Sequence, residues 1–68
     1  MEYRFSLKAA RAYAGMTMSE ASERLGVAVS TLQSWEKGKT EPKPSTIEKI
    51  AELYGVRAAD IFLSTTAT

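Results

Sequence analysis

Apolar residues recur three or four positions apart in successive stretches of this chain, which is the spacing that places them on one face of an α-helix. Such stretches cover residues 7–14, 29–37 and 47–54, and a shorter one covers residues 20–25. A glycine follows each of them, and these are Gly15, Gly26, Gly38 and Gly55. Because helices commonly end where a glycine adopts a left-handed conformation, the pattern predicts an all-α chain of short helices.

Capping residues predict where several of these helices begin. Ser6 precedes the first helix, and Thr17-Met18-Ser19-Glu20 is a capping box that opens a helix ending at Leu25. After the prolines at positions 42 and 44, Ser45-Thr46-Ile47-Glu48 predicts a second capping box and a fourth helix. Ala28 has no side-chain oxygen, so the start of the third helix is not fixed by a cap.

The two ends of the chain are predicted less sharply. Residues 58–63 form a fifth short helix, in which Ile61 and Phe62 are available for burial. Residues 1–5 are extended or pack Tyr3 and Phe5 on the core, and residues 64–68 form a polar tail that frays. We therefore predict one compact domain over residues 1–68, with an ordered core over about 6–63.

Composition narrows the classes of function. A chain of 68 residues buries only roughly 60% of its unfolded surface, so it forms one small domain. It has no Cys and no His, and thus lacks disulfides, the usual zinc ligands and the commonest general base. We expect no enzyme activity, cofactor or metal. No apolar run is long enough to cross a membrane, and no signal peptide is recognisable, which predicts a cytoplasmic protein.

Charge is informative through its distribution, because the net charge is only +1. The basic residues gather in two groups, and these are Arg4, Lys8 and Arg11, then Lys37, Lys39 and Lys43. The last third of the chain is acidic through Glu48, Glu52 and Asp60. One end of the domain therefore suits phosphate groups better than the other.

The turn at Gly26 joins two helices within three or four residues, which forces a steep crossing. The sequences on its two sides are TMSEASERLGV at residues 17–27 and STLQSWEKGK at residues 30–39. They closely resemble the phage-repressor and Cro-like (XRE) helix-turn-helix family, and the resemblance covers about residues 7–63. It implies a compact five-helix, lambda-repressor-like DNA-binding domain, and a sequence-specific transcriptional regulator of the phage or prophage repressor type.

In this family the start of the recognition helix, residues 29–37 here, enters the major groove of DNA. The resemblance assigns base contacts to four positions, which are Val29, Ser30, Gln33 and Ser34. Gln33 has the donor and acceptor pair that matches adenine, and Val29 can contact a thymine methyl group. The alternative at each position is an ordinary solvent-facing helix residue.

Phosphate contacts are assigned in the same way to Thr17, Ser19, Thr31, Lys37, Lys39 and Thr40. Many relatives carry Arg or Lys at the positions of Val29 and Ser34, and Gln at that of Met18, so this chain departs from the family pattern. We expect this departure to lower its affinity for phosphate. The alternative role of the two lysines is to close a helix C-terminus as solvated surface residues.

Two further features follow from the resemblance. Arg11 and Glu36 occupy positions that some phage-repressor relatives join by a partly buried ion pair; the alternative is two independent surface charges. Residues Ile61, Phe62 and Leu63 are the predicted homodimer contact, or they pack only within their own monomer. A symmetric dimer would bind double-stranded DNA at a near-palindromic operator with half-sites about 34–36 Å apart.

A second class of function uses the same fold. Antitoxin-like or adaptor-like relatives bind a protein as their main partner and bind DNA weakly. The low net charge and the exposed valine expected at position 29 favour that reading slightly. A plain helical bundle with no nucleic-acid role is the third possibility.

Overall fold

The structure is a computed structural model that describes residues 5–62, with Phe62 as backbone alone. In chain order its elements are β1 (Phe5–Ser6), α1 (Leu7–Tyr13), α2 (Met18–Leu25), α3 (Val29–Lys37), α4 (Pro44–Tyr54), a 3-10 helix (Ala58–Asp60) and β2 (Ile61–Phe62). The prediction of an all-helical architecture is confirmed for the four α-helices. No helix among the described residues is both long and apolar enough to cross a bilayer.

Helices α1 and α2 begin at the caps that the sequence predicts. The hydroxyl of Ser6 accepts a hydrogen bond from the backbone N–H of Ala9 at 3.1 Å. At α2, the N–H of Glu20 donates to the Thr17 hydroxyl, and the N–H of Thr17 donates to the Glu20 carboxylate, each at 3.1 Å. The capping box is therefore complete, and it satisfies two backbone N–H groups that the helix leaves without partners.

The second predicted capping box is wrong. Helix α4 begins at Pro44, two residues earlier than that box predicts, and its cap is Lys43, which makes no side-chain cap hydrogen bond. Proline favours the first helical position, because its fixed φ matches the helix and it has no N–H to satisfy. Ser45 consequently lies inside the helix, where its hydroxyl cannot act as the cap.

The fifth helix predicted over residues 58–63 is not confirmed. Ala58–Asp60 form one 3-10 turn, and the chain then becomes extended, with Ile61 at φ −99° and ψ 130°. Ile61 pairs in parallel with Phe5, and Phe62 pairs with Ser6. A β-branched and an aromatic residue favour a strand once a partner is present. Leu63 lies outside the described residues.

The core is formed by side chains from every helix and from β2. Its buried apolar members are Leu7, Ala10, Ala21, Leu32, Ile50, Ala51, Tyr54 and Ile61. Leu32 and Ile50 are the largest fully buried side chains. Trp35 is half-buried and packs against this core, as its spacing from Leu32 predicts. The helices that carry the candidate site, α2 and α3, are thus held in place by their buried side chains in this core.

Candidate nucleic-acid interface

The turn between α2 and α3 has the geometry of a helix C-cap closed by glycine. Gly26 adopts the left-handed conformation, with φ 73° and ψ 29°. The N–H of Gly26 donates to the Glu23 carbonyl at 3.2 Å, and the N–H of Val27 donates to the Ser22 carbonyl at 3.0 Å. This hydrogen-bond pair ends α2 at Leu25, and α3 begins soon afterwards, at Val29.

Small residues let α2 and α3 approach closely. Ala21 is fully buried, and Ser22 is 3% exposed with its hydroxyl donating to the Ser19 carbonyl at 3.0 Å. Leu32 of α3 is fully buried in the same core as Ala21. The inner face of α3 is therefore held by the core, and its outer face is left to the solvent.

The outer face of α3 carries the residues assigned to base contacts. Val29 is 44% exposed, and Ser30 and Gln33 are also exposed. Ser34 is half-buried. The polar edge of α3 is therefore not covered by the described part of its own monomer, as groove reading requires.

The residues assigned to phosphate contacts lie at the ends of α2 and α3. Thr17, Ser19, Lys37, Lys39 and Thr40 are exposed, and Thr31 is half-buried. The hydroxyl of Thr17 is already engaged in the capping box. Gly38, at φ 79°, ends α3 in a left-handed cap, with the exposed Lys37 and Lys39 on its two sides.

Arg11 and Glu36 form the predicted ion pair, which joins α1 to the end of α3. The Arg11 Nε donates to Glu36 Oε2 at 2.7 Å, and Nη2 donates to Oε1 at 3.2 Å. The two side chains are 14% and 5% exposed. The hydrogen bond to Glu36 raises the pKa of Arg11 above its ordinary value. The bidentate geometry fixes both side chains.

Arg11 also makes a contact that sequence reasoning missed. Its Nη1 donates to the Met16 carbonyl at 3.0 Å, in the loop directly before the cap of α2. The guanidinium of Arg11 therefore links the loop before α2 to the C-terminal turn of α3. No sequence signal identifies a backbone carbonyl as the partner.

Tyr54 of α4 lies close to this ion pair. It is 3% exposed, and among residues 5–62 its hydroxyl has no hydrogen-bond partner. Burial, with a smaller contribution from the Glu36 carboxylate, raises the pKa of Tyr54 to about 12.

The side chains of residues 5–62 do not form a metal site, because no three His, Cys, Asp or Glu residues among them come together.

The structure describes the side chain of only one of the three predicted dimer residues. Ile61 is 7% exposed and belongs to the core of its own monomer. The side chains of Phe62 and Leu63 lie outside the described residues.

A family model described as helix-turn-helix matches residues 7–61 of the chain. The chain belongs to this helix-turn-helix family. The match spans all four α-helices, so the predicted resemblance to phage-repressor and Cro-like proteins is confirmed. None of the solved structures matches this chain.

Several curated relatives are similar to this helix-turn-helix protein. An uncharacterized HTH-type transcriptional regulator of Methanocaldococcus jannaschii is 39% identical over 57 residues, which cover 84% of this chain and 86% of the relative. The cryptic phage CTXphi transcriptional repressor RstR of Vibrio cholerae is 37% identical over 46 residues, or 68% of this chain and 41% of RstR. The HTH-type transcriptional regulator ImmR of Bacillus subtilis is 38% identical over 50 residues, or 74% of this chain and 39% of ImmR.

Proposed function

We propose that this protein is a sequence-specific DNA-binding transcriptional regulator that inserts α3 into the major groove. The main observation in its support is that α3 keeps Leu32 buried while Val29, Ser30 and Gln33 remain exposed on its outer face. The curated relatives support this proposal, because they are named as transcriptional regulators, and one is named as a phage repressor. We propose that it acts as a repressor in the cytoplasm.

Base recognition falls to Val29, Ser30, Gln33 and Ser34. Gln33 offers a donor and an acceptor to the edge of adenine, and the serine hydroxyls bond to several bases. Val29 supplies an apolar contact for the methyl group of thymine, which accounts for an exposed valine on a polar helix face. These contacts select the sequence.

Phosphate contacts fix the register of the protein on DNA without reading the sequence. We assign them to Thr17, Ser19, Thr31, Lys37, Lys39 and Thr40. The positive end of the α2 and α3 dipoles adds to this attraction. Because the net charge is only +1, binding depends on where these groups lie.

A homodimer on a near-palindromic operator completes the proposal. We assign this contact to Phe62 and Leu63, because Ile61 is buried in the core of its own monomer. Tyr13 is 66% exposed and contacts Phe5 of β1 in a tilted arrangement, with 5.1 Å between ring centroids and 48° between ring planes. Two recognition helices would then lie about 34–36 Å apart.

Selection of bound sequences from random double-stranded DNA tests the function directly. We expect one enriched motif with two-fold symmetry. The division of roles is tested on that motif with two variants. Gln33→Ala should change the preferred base at one position of each half-site, whereas Lys39→Ala should weaken binding to all sequences alike. No enrichment would remove the proposed function, and equal behaviour of the two variants would remove the assigned roles.

A further inference from the structure

A cleft of about 380 Å³ opens between α1 and α3, beside the face that we propose to read DNA. It is lined by Lys8, Arg11, Met18, Gln33, Glu36 and Lys37. The sequence groups Lys8 with the basic residues Arg4 and Arg11, but no individual DNA contact is assigned to it above. Its presence in the same cleft as Gln33 and Lys37 raises the question of what the cleft binds.

The charges of this cleft are unevenly compensated. Arg11 and Glu36 neutralise each other in their bidentate pair. Lys8 and Lys37 are both exposed, and neither forms an ion pair with any of residues 5–62. The cleft therefore presents two uncompensated ammonium groups, one from α1 and one from α3.

The ion pair also fixes the relation between the two lysines. Lys8 lies one helical turn before Arg11 on α1, and Lys37 directly follows Glu36 on α3. Residues three positions apart lie on the same side of a helix. The Arg11–Glu36 contact at 2.7 Å holds α1 against α3, and Lys8 and Lys37 both line the cleft between these two helices.

The remaining lining residues suit the stems of the lysines. Met18 is half-buried and packs against the core, so it gives the cleft an apolar wall. Lysine side chains commonly lay their methylene groups on such a surface and keep the ammonium group in water. Such an arrangement would leave both ammonium groups in the solvent at the cleft that Gln33 also lines.

We propose that Lys8 and Lys37 together bind one phosphate group of the DNA backbone at the border of the groove that α3 enters. The proposal rests on the proposed function, because α3 must lie in the groove for a phosphate to reach the cleft. It adds Lys8 as a phosphate-binding residue and makes α1 part of the DNA-binding surface. A phosphodiester fits, since it is a compact anion with free oxygens for more than one donor.

The test is the salt dependence of binding to the selected operator, measured by fluorescence anisotropy. The variants are Lys8→Ala, Lys37→Ala and the double substitution. Lys49→Ala is the matched control, because Lys49 is an exposed lysine on α4 that lines a separate groove with Arg24 and Glu52. Thermal melting of each variant checks that the fold is retained.

We expect Lys8→Ala to weaken operator and random DNA by the same factor. The slope of log affinity against log salt should become shallower by up to about 0.9 for each bound protomer, and Lys49→Ala should leave it unchanged. The double variant should lose less than the sum of the single losses, because both lysines contact one phosphate.

Three results would overturn the inference. If Lys8→Ala behaves as Lys49→Ala does while the wild type binds DNA, Lys8 does not contact DNA and only the inference fails. If the losses add, the lysines bind separate phosphates. If the wild type shows no salt-dependent DNA binding, the proposed function fails and the inference fails with it.

Discussion

Two arginine–carboxylate pairs in this molecule have the same chemistry and different surroundings. Arg11 and Glu36 are 25 positions apart in sequence, and their side chains are 14% and 5% exposed. Arg57 and Asp60 are three positions apart within one turn, with side chains 72% and 11% exposed. The first pair joins α1 to α3, whereas the second only spans the 3-10 turn.

The difference in solvent exposure determines how much each ion pair contributes to the stability of the fold. A pair shielded from water stabilises strongly only while both partners are present, because either charge alone is costly in that place. A pair with an exposed arginine competes with water and contributes little. The arrangement of α1 and α3, and with it the proposed DNA-binding face, should therefore depend on the Arg11–Glu36 pair more than on the Arg57–Asp60 pair.

The largest effect should come from Glu36→Gln, which keeps the shape of the side chain and leaves the Arg11 charge without its counter-ion. We expect a loss of about 3 kcal/mol in the free energy of unfolding. This corresponds to a fall of about 12–24 °C in Tm for a domain of this size. Urea denaturation and thermal melting measure both quantities.

The control for Glu36→Gln is the double variant Arg11→Met with Glu36→Leu. Replacing both charges by apolar side chains leaves neither one stranded, so most of the stability should return. A loss below about 1 kcal/mol for Glu36→Gln would show that the Arg11–Glu36 pair contributes no more to stability than a surface ion pair.

An intermediate effect should appear at alkaline pH, through the buried Tyr54 beside the Arg11–Glu36 pair. The pKa of Tyr54 is raised to about 12 in the folded chain, against an ordinary value of 10.0. The folded state thus holds its proton while the unfolded state releases it. The associated stability is complete below pH 10 and is lost as the pH rises towards 12, by about 2–3 kcal/mol.

Chemical denaturation across this pH range measures the effect of Tyr54. Tyr54→Phe should remove this part of the alkaline loss, and at neutral pH it removes a buried hydroxyl that has no partner among residues 5–62. Tyr13→Phe is the control, because it changes an exposed ring, and it should follow the wild type. Equal pH profiles for Tyr54→Phe and the wild type would contradict the prediction.

The smallest effect should come from Arg57→Ala. The arginine is largely exposed, and its partner is only three residues away, so no contact between helices is lost. Because the Asp60 side chain is only 11% exposed, we expect a fall in Tm of a few degrees at most, well below that of Glu36→Gln, and DNA binding should be unchanged. A fall in Tm comparable to that of Glu36→Gln would show that the 3-10 turn holds the fold after all.

Local signals predict the fold well where all the interacting atoms are close in sequence. The capping box of Thr17 and Glu20 is confirmed because its hydrogen bonds span only three residues. The box predicted at Ser45 is wrong because Pro44, one position earlier, takes the first place in the helix. The strand at Ile61 was beyond local reasoning, since its partner Phe5 lies near the other end of the chain.

The candidate site divides in the same way. Helical spacing predicts that Leu32 is buried while its neighbours on α3 face the solvent. The Arg11–Glu36 pair is predicted only through the family resemblance, because it depends on how α1 packs against α3. The contact from Arg11 to the Met16 carbonyl and the presence of Lys8 and Lys37 in one cleft depend on the same packing, so helical spacing alone does not reveal them.

The parallel pairing of β1 with β2 determines how the domain responds to mechanical tension. The chain enters the pair at Phe5 and leaves it at Phe62, at opposite ends of two strands that run in the same direction. A stretching force on the flanking segments would load the hydrogen bonds between the strands simultaneously, in shear, and could not open them one by one. A force-clamp recording should therefore show one abrupt separation of β1 from β2 before the helices extend.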